Sequence, residues 1–227
     1  MLGTIVNAIA VVIGSFVGVF LQRGIKEEYT KTIMDGMALT VIIIGIMGAI
    51  KMENLILVLG SIVIGSIIGE KLDLDRKLEK LGDRLGKRFG KGDSNFSKGF
   101  IMASLVYCIG AMSIIGALES GLTGDHSTLY AKSVLDGIAS VIFASTLGIG
   151  VAFSAIPVLL YQGGIALLAS LVKDFFTPSI ITEITAIGGI LILAIGTNML
   201  GIKKIKIANM LPAIFIPILY YFVMTLF

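Results

Sequence analysis

The chain has 227 residues, 56% of them apolar before its 28 glycines are counted and only 15% charged, and its mean hydropathy is +0.99. A water-soluble domain of this size must cover most of its surface with polar groups, and this composition does not supply them, so lipid is the solvent the sequence demands. The single cysteine, Cys108, excludes an intrachain disulfide and a thiolate metal cluster, and the net charge of +3 informs only through its distribution.

A hydrocarbon core of about 30 Å takes about 20 helical residues at 1.5 Å each. Windows of that size predict eight spans, at roughly 2–21, 32–50, 54–69, 99–118, 129–150, 153–172, 181–201 and 207–227. The first span opens on Met-Leu-Gly-Thr, without a basic n-region, and its apolar part is too long for a secretory signal, so it reads as a retained helix. The longest polar stretch is 70–98, which leaves no room for a soluble domain.

Charge orients the spans. Arg23, Lys26 and Lys31 follow the first span, and Lys71, Arg76, Lys77, Lys80, Arg84, Lys87, Arg88, Lys91 and Lys98 follow the third. Lys203, Lys204 and Lys206 follow the seventh, whereas the other side of an alternating eight-span arrangement holds only Lys51, Lys132 and Lys173. The positive-inside rule makes the rich side cytoplasmic and both termini external. Within 71–90, Leu74, Leu78, Leu81, Leu85 and Phe89 recur at helical spacing among charged residues, which predicts a cytoplasmic interfacial helix. It is either a tethered connector or a lipid-sensing element.

The second and fifth spans share a pattern. Thr32-Ile33-Met34-Asp35-Gly36-Met37-Ala38 reads against Ser133-Val134-Leu135-Asp136-Gly137-Ile138-Ala139, each behind a glycine-punctuated span. An offset of three spans makes the copies cross in opposite senses, as in an inverted repeat. The expected organisation is a single transmembrane domain over 1–227: repeat one at about 1–70, the amphipathic connector at 71–90, repeat two at about 97–172 and a C-terminal hairpin at 181–227. The fold class is thus all-α, a polytopic transmembrane helix bundle.

Polar residues at membrane depth carry the functional reading. A carboxylate at the centre of a span costs roughly 2.5–3.5 kcal/mol on insertion scales and needs a partner or a purpose. Asp35 and Asp136 are either ion or proton sites on an internal cavity, or first-turn carboxylates that complement a helix dipole. The run Tyr107-Cys108-Ile109-Gly110-Ala111-Met112-Ser113-Ile114-Ile115-Gly116 suits close helix packing or an interrupted helix whose freed backbone groups hold a ligand. Asn7, Ser140, Ser145, Thr146, Ser154, Gln162, Thr197 and Asn198 add a polar, weakly charged interior, and Pro157, Pro212 and Pro217 are expected to kink the sixth and eighth spans. The residues selected for a path are Asn7, Asp35, Ser113, Asp136 and Asn198.

The one histidine, His126, falls in a predicted outer loop, and no nucleophile, metal or phosphate-cradling motif stands out, so no enzyme, metal or cofactor is expected. Nor does a basic, aromatic-rich surface suggest nucleic acid. The opening Gly3-Thr4-Ile5-Val6-Asn7-Ala8 followed by Gly14 to Gly18, the segment from Cys108 to Gly116, and Lys132-Ser133-Val134-Leu135-Asp136-Gly137 running into Ser140 and Ala144 resemble the YqgA/YdfK-type family of bacterial inner-membrane proteins. That family is classed as a domain of unknown function; the likeness covers essentially the whole chain and implies a transporter, with no substrate or site to carry over. The expectation is a small secondary transporter or ion-conducting protein. Its partners would be the lipid bilayer and a small ion or polar solute, with a homo-oligomer left open. The alternative is a membrane scaffold, sensor or assembly factor working through partner helices.

Overall fold

A computed structural model of the chain describes residues 1–22, 27–90 and 95–224, and within them helices joined by short turns make up the fold, without a strand. Arg23, Lys26 and Lys91, used above for orientation, lie outside the described residues, as does the end of the eighth span at 225–227. The helices are α1 (Leu2–Gln22), α2 (Glu27–Ala49), α3 (Leu55–Leu72), α4 (Leu74–Phe89), α5 (Phe96–Cys108), α6 (Ala111–Leu122), α7 (Ser127–Leu147), α8 (Ala155–Leu167), α9 (Ala169–Val172), α10 (Pro178–Met199) and α11 (Ile216–Met224). Tighter 3-10 segments occupy Gly148–Ser154, Lys173–Phe175 and Ile207–Phe215. Among the described residues, six helical runs are long and apolar enough to cross a membrane, or seven if the bent pair α5–α6 is one span.

The sorting of α1 shows why these helices suit lipid. Ile9, Ile13, Phe16 and Phe20 recur along one face and are 51% to 74% exposed, while Thr4, Asn7, Val11 and Ser15 on the other face are fully buried. A helix of a soluble protein buries its apolar stripe; here the stripe faces outward and the polar groups face inward. The helix α3 repeats the arrangement, with Ile56, Leu59, Val63 and Ile67 outside and Val58, Ser61 and Gly65 inside.

The chain forms two compact units, the first made of Met1–Ile33, Glu79–Cys108 and Met112–Leu171, the second of Met34–Leu78, Ile109–Ala111 and Val172–Phe227. In the first, α1 and α7 run parallel. Gly3 lies on Leu129, Gly14 on the Gly137 carbonyl and Gly18 on Val141 and Ala144, so close that a Cβ on Gly14 or Gly18 would clash with backbone. Small residues allow this approach, the usual packing device inside membranes. The run Ser127–Leu167 counts as one apolar stretch, yet it doubles back. Its α7 end lies beside Gly18, and α8 then returns to put Gln162 on Asn7 and Gly163 beside Met1 and Thr4. The 3-10 segment Gly148–Ser154 makes that reversal, close to the boundary read from the sequence at 150–153.

In the second unit α2 and α10 are antiparallel, with Gly45 and Gly48 against Gly189, and Gly196 against Ala38 and Ile42. The Asn54 side chain caps the start of α3 by accepting from the Leu57 N–H at 2.9 Å. The helix stops where Asp73 turns left-handed (φ 52°). Gly65 and Gly69 then seat α3 against Ala213 and Asn209. Thr177 caps α10, with Pro178 in its first turn. Pro157 and Pro217 lie in the first turns of α8 and α11, where the missing N–H has no intrahelical role, and Pro212 lies inside a 3-10 segment.

Candidate polar site

The interrupted-helix reading of the Tyr107 to Gly116 run is realised in the backbone. Helices α5 and α6 meet at 63°, and Gly110 adopts φ +140°, which side chains with a Cβ rarely accept. The break frees carbonyls at the end of α5, and the Ser113 hydroxyl donates to one of them, the Tyr107 oxygen, at 2.9 Å. Tyr107 is fully buried. Its phenol shares a 2.8 Å hydrogen bond with the Ser140 hydroxyl on α7.

One turn back along α7 from Ser140 lies the most polar point of the first unit. Lys132 and Asp136, at i and i+4 on one helix face, form an ion pair with Nζ 3.0 Å from Oδ1 and 2.8 Å from Oδ2. Both residues are only 7% exposed. From α1, Asn7 donates through Nδ2 to Asp136 Oδ2 at 3.0 Å and to Gln162 Oε1 of α8 at 3.3 Å. Asp136 lies about 13 Å along α7 from Ser127 at 1.5 Å per residue, well inside the apolar span. A single charge there would be expensive; the ammonium and the amide donor supply what the carboxylate loses on leaving water. Three atoms remain with no hydrogen-bond partner: Thr4 Oγ1, Asn7 Oδ1 and Gln162 Nε2. All belong to fully buried residues. They offer an acceptor, a donor and a hydroxyl beside a neutralised pair.

The five residues selected from sequence separate. Asn7 and Asp136 are hydrogen-bonded to each other, and Ser113 belongs to the same unit, tied to Tyr107. Asp35, in the second unit, is exposed. Asn198 clasps the loop after α10, donating to the Ile205 carbonyl and accepting from the Ile205 N–H, both at 2.8 Å. Two charged residues at depth were missed. Lys132 enters the sequence reading only as a charge on the poorly charged side, although its i,i+4 spacing to Asp136 is visible in the span at 129–150. Glu183, on α10, is 1% exposed. Its Oε1 accepts from the Asn54 N–H at 2.8 Å. Its Oε2 has no hydrogen-bond partner, and no Lys or Arg among the described residues pairs with it.

At the other end of α3, Glu70 accepts from Lys206 Nζ and from Asn209 Nδ2, the latter at 2.6 Å. Asn209 Oδ1 in turn accepts from the Asp75 N–H at 2.7 Å, which fixes the turn from α3 into α4. The hydrogen bond to Glu70 holds the exposed Lys206 ammonium above its ordinary range.

Outward apolar faces and an inward polar core held at span depth define an integral, polytopic α-helical membrane protein. The chain belongs to the family described as "Protein of unknown function (DUF554)", whose model matches residues 2–222. It is similar to "Uncharacterized membrane protein YdfK" of Bacillus subtilis (strain 168), 37% identical over 231 residues that cover 100% of this chain and 98% of the relative. It is also similar to "Uncharacterized protein YqgA" of Escherichia coli (strain K12), 32% identical over 219 residues that cover 94% and 93% of the two chains. No solved structure matches it.

Proposed function

We propose that this protein is a small secondary transporter or ion-conducting protein of a bacterial inner membrane, with the Asn7–Lys132–Asp136–Gln162 cluster as its polar site. The observation that carries the reading is an ion pair inside an apolar span, ringed by buried amide atoms that lack partners. Structural hydrogen bonds alone would leave those atoms paired, because each orphan in a medium without water is costly. The broken α5–α6 helix, joined through Tyr107 to the same helix as Asp136, supports it as well. The reading takes the bent pair as one crossing and the doubled-back run as two, for eight crossings with both termini outside.

Lys132 acts in this reading as a tethered cation on Asp136. A transported ion or polar solute would compete with it, and the carboxylate would be handed between the two. The scaffold reading draws on the glycine-tight seam of α1 on α7. Proteoliposomes separate the two. Solute-coupled cation flux is expected in the native protein and should fall at least about tenfold, or about 1.4 kcal/mol of barrier, in Asp136→Asn. Asp35→Asn, the same charge change on an exposed residue, is the comparison arm. Flux through Asp136→Asn at the native rate would remove the site; a partner recovered at fixed stoichiometry without any flux would favour the scaffold.

A further inference from the structure

The outer face of α4 is not used by the polar site, and its charges are sorted rather than mixed. At about 100° per residue, Lys80, Arg84, Lys87 and Arg88 fall within about 100° of arc, and all four are exposed. Next around the helix come Leu81, Leu85 and Phe89, of which Leu81 is 45% and Phe89 48% exposed. Gly82 and Gly86 follow, packed on Ser97 and Phe96 at the start of α5. Glu79 and Asp83 lie beyond the glycines, so the acidic side chains are kept away from the edge where Arg84 and Arg88 meet Leu81.

Position completes the argument. This part of α4 sits at one end of the crossing helices of the first unit. Phe89 stacks on Phe153 of the reversal segment, with ring centres 5.1 Å apart, and Phe153 also meets Phe96, at 5.0 Å. The Arg88 guanidinium lies over the Phe89 ring at 5.5 Å. Leu147 and Val151, at the end of α7 and in the reversal, lie against Gly99 of α5. The helix therefore lies where apolar spans end.

From this sorting we infer that residues 79–90 bind anionic phospholipid headgroups, with phosphates on Lys80, Arg84 and Arg88 and acyl chains against Leu81 and the open edge of Phe89. A nucleic acid or an acidic protein would satisfy the basic arc and leave Leu81 facing water; a lipid supplies both chemistries at the distance of one helix edge. The inference stands apart from the transport reading.

The chain contains no tryptophan, so Leu81→Trp places a single fluorophore on the proposed contact in the full-length protein. It would be reconstituted in phosphatidylcholine vesicles containing a minority of phosphatidylglycerol, with bromine on the acyl chains of one lipid at a time. Quenching by brominated phosphatidylglycerol is expected to exceed that lipid's share several-fold. Adding Lys80→Gln, Arg84→Gln and Arg88→Gln should bring it back to the share, and inorganic phosphate at matched ionic strength should leave it unchanged. Three results would overturn the inference: no quenching by either brominated lipid, quenching in proportion to composition and indifferent to the charge variant, or displacement by inorganic phosphate. Near-ultraviolet absorbance and elution volume of each variant establish that folded protein is being compared.

Discussion

Asp136 in the first unit and Glu183 in the second are both almost wholly removed from solvent, and they are held by different means. Asp136 has a lysine one turn away and an asparagine amide from another helix. Glu183 has one backbone N–H at the start of α3 and a bare second oxygen. The first carboxyl is thus set in an electrically neutral cluster whose parts come from three helices. The second is a cap, serving a helix start as Asn54 does from within the chain. Neither burial nor one bare oxygen therefore marks a site; what distinguishes Asp136 is the gathering of an ammonium and two side-chain amides from three helices around it.

Breaking one half of the ion pair should have the largest effect. Lys132→Met or Asp136→Leu alone strands a charge in an apolar span and is expected to cost about 3–5 kcal/mol, whereas the double variant should recover most of that loss. Thermal unfolding in detergent, followed by circular dichroism, reads the difference. Additive losses would show that the two side chains do not act as a pair. Glu183 comes next. Glu183→Leu leaves the Asn54 N–H without its acceptor and should cost about 1–3 kcal/mol, while Glu183→Gln keeps an acceptor and should lie near native. Equal losses for both would give Glu183 a role beyond the cap and weaken the contrast with Asp136.

Smaller effects belong to carboxyls in water. Hydrogen bonds from the Ser127 backbone and hydroxyl hold the Asp125 carboxyl below its ordinary range. Its contribution is present above the unfolded value of about 3.9 and is lost as pH falls below it toward the folded value. A spin label at Thr123 should therefore gain mobility below about pH 4 in the native protein, and Asp125→Asn should remove that dependence. Asp35→Asn should change stability by less than about 0.5 kcal/mol, as for other exposed positions; a larger loss would place Asp35 among the held carboxyls.

Much of the architecture was legible in the residues. Hydropathy found the apolar runs, the spacing of Leu74 to Phe89 found α4, and the density of small residues around Gly110 marked a point where a helix could be interrupted. The site was legible only in part. Asn7 and Asp136 could be selected because amide and carboxyl groups are rare at depth, but their union is non-local, joining residues 129 apart. No periodicity encodes such a pairing. Lys132 escaped because its charge, inside the span at 129–150, informs the orientation of the chain before it suggests a partner for Asp136. Glu183 escaped because one acid among apolar neighbours barely moves a window average. Asn198 looked like a site residue for the same reason that Asn7 did; only the geometry shows its amide closing a turn on Ile205.

The seam between α1 and α7 also sets a schedule for biogenesis. Thr4, Asn7 and Ser15 enter the bilayer with the first span, yet Asp136, the partner of Asn7, is 129 residues downstream. At synthesis rates of about 5–20 residues per second, α1 waits roughly 6–26 s before that partner is made. During that interval its polar stripe has to be sheltered by the insertion machinery or by a neighbouring chain. Helix α1 is thus settled only once α7 has followed it into the membrane.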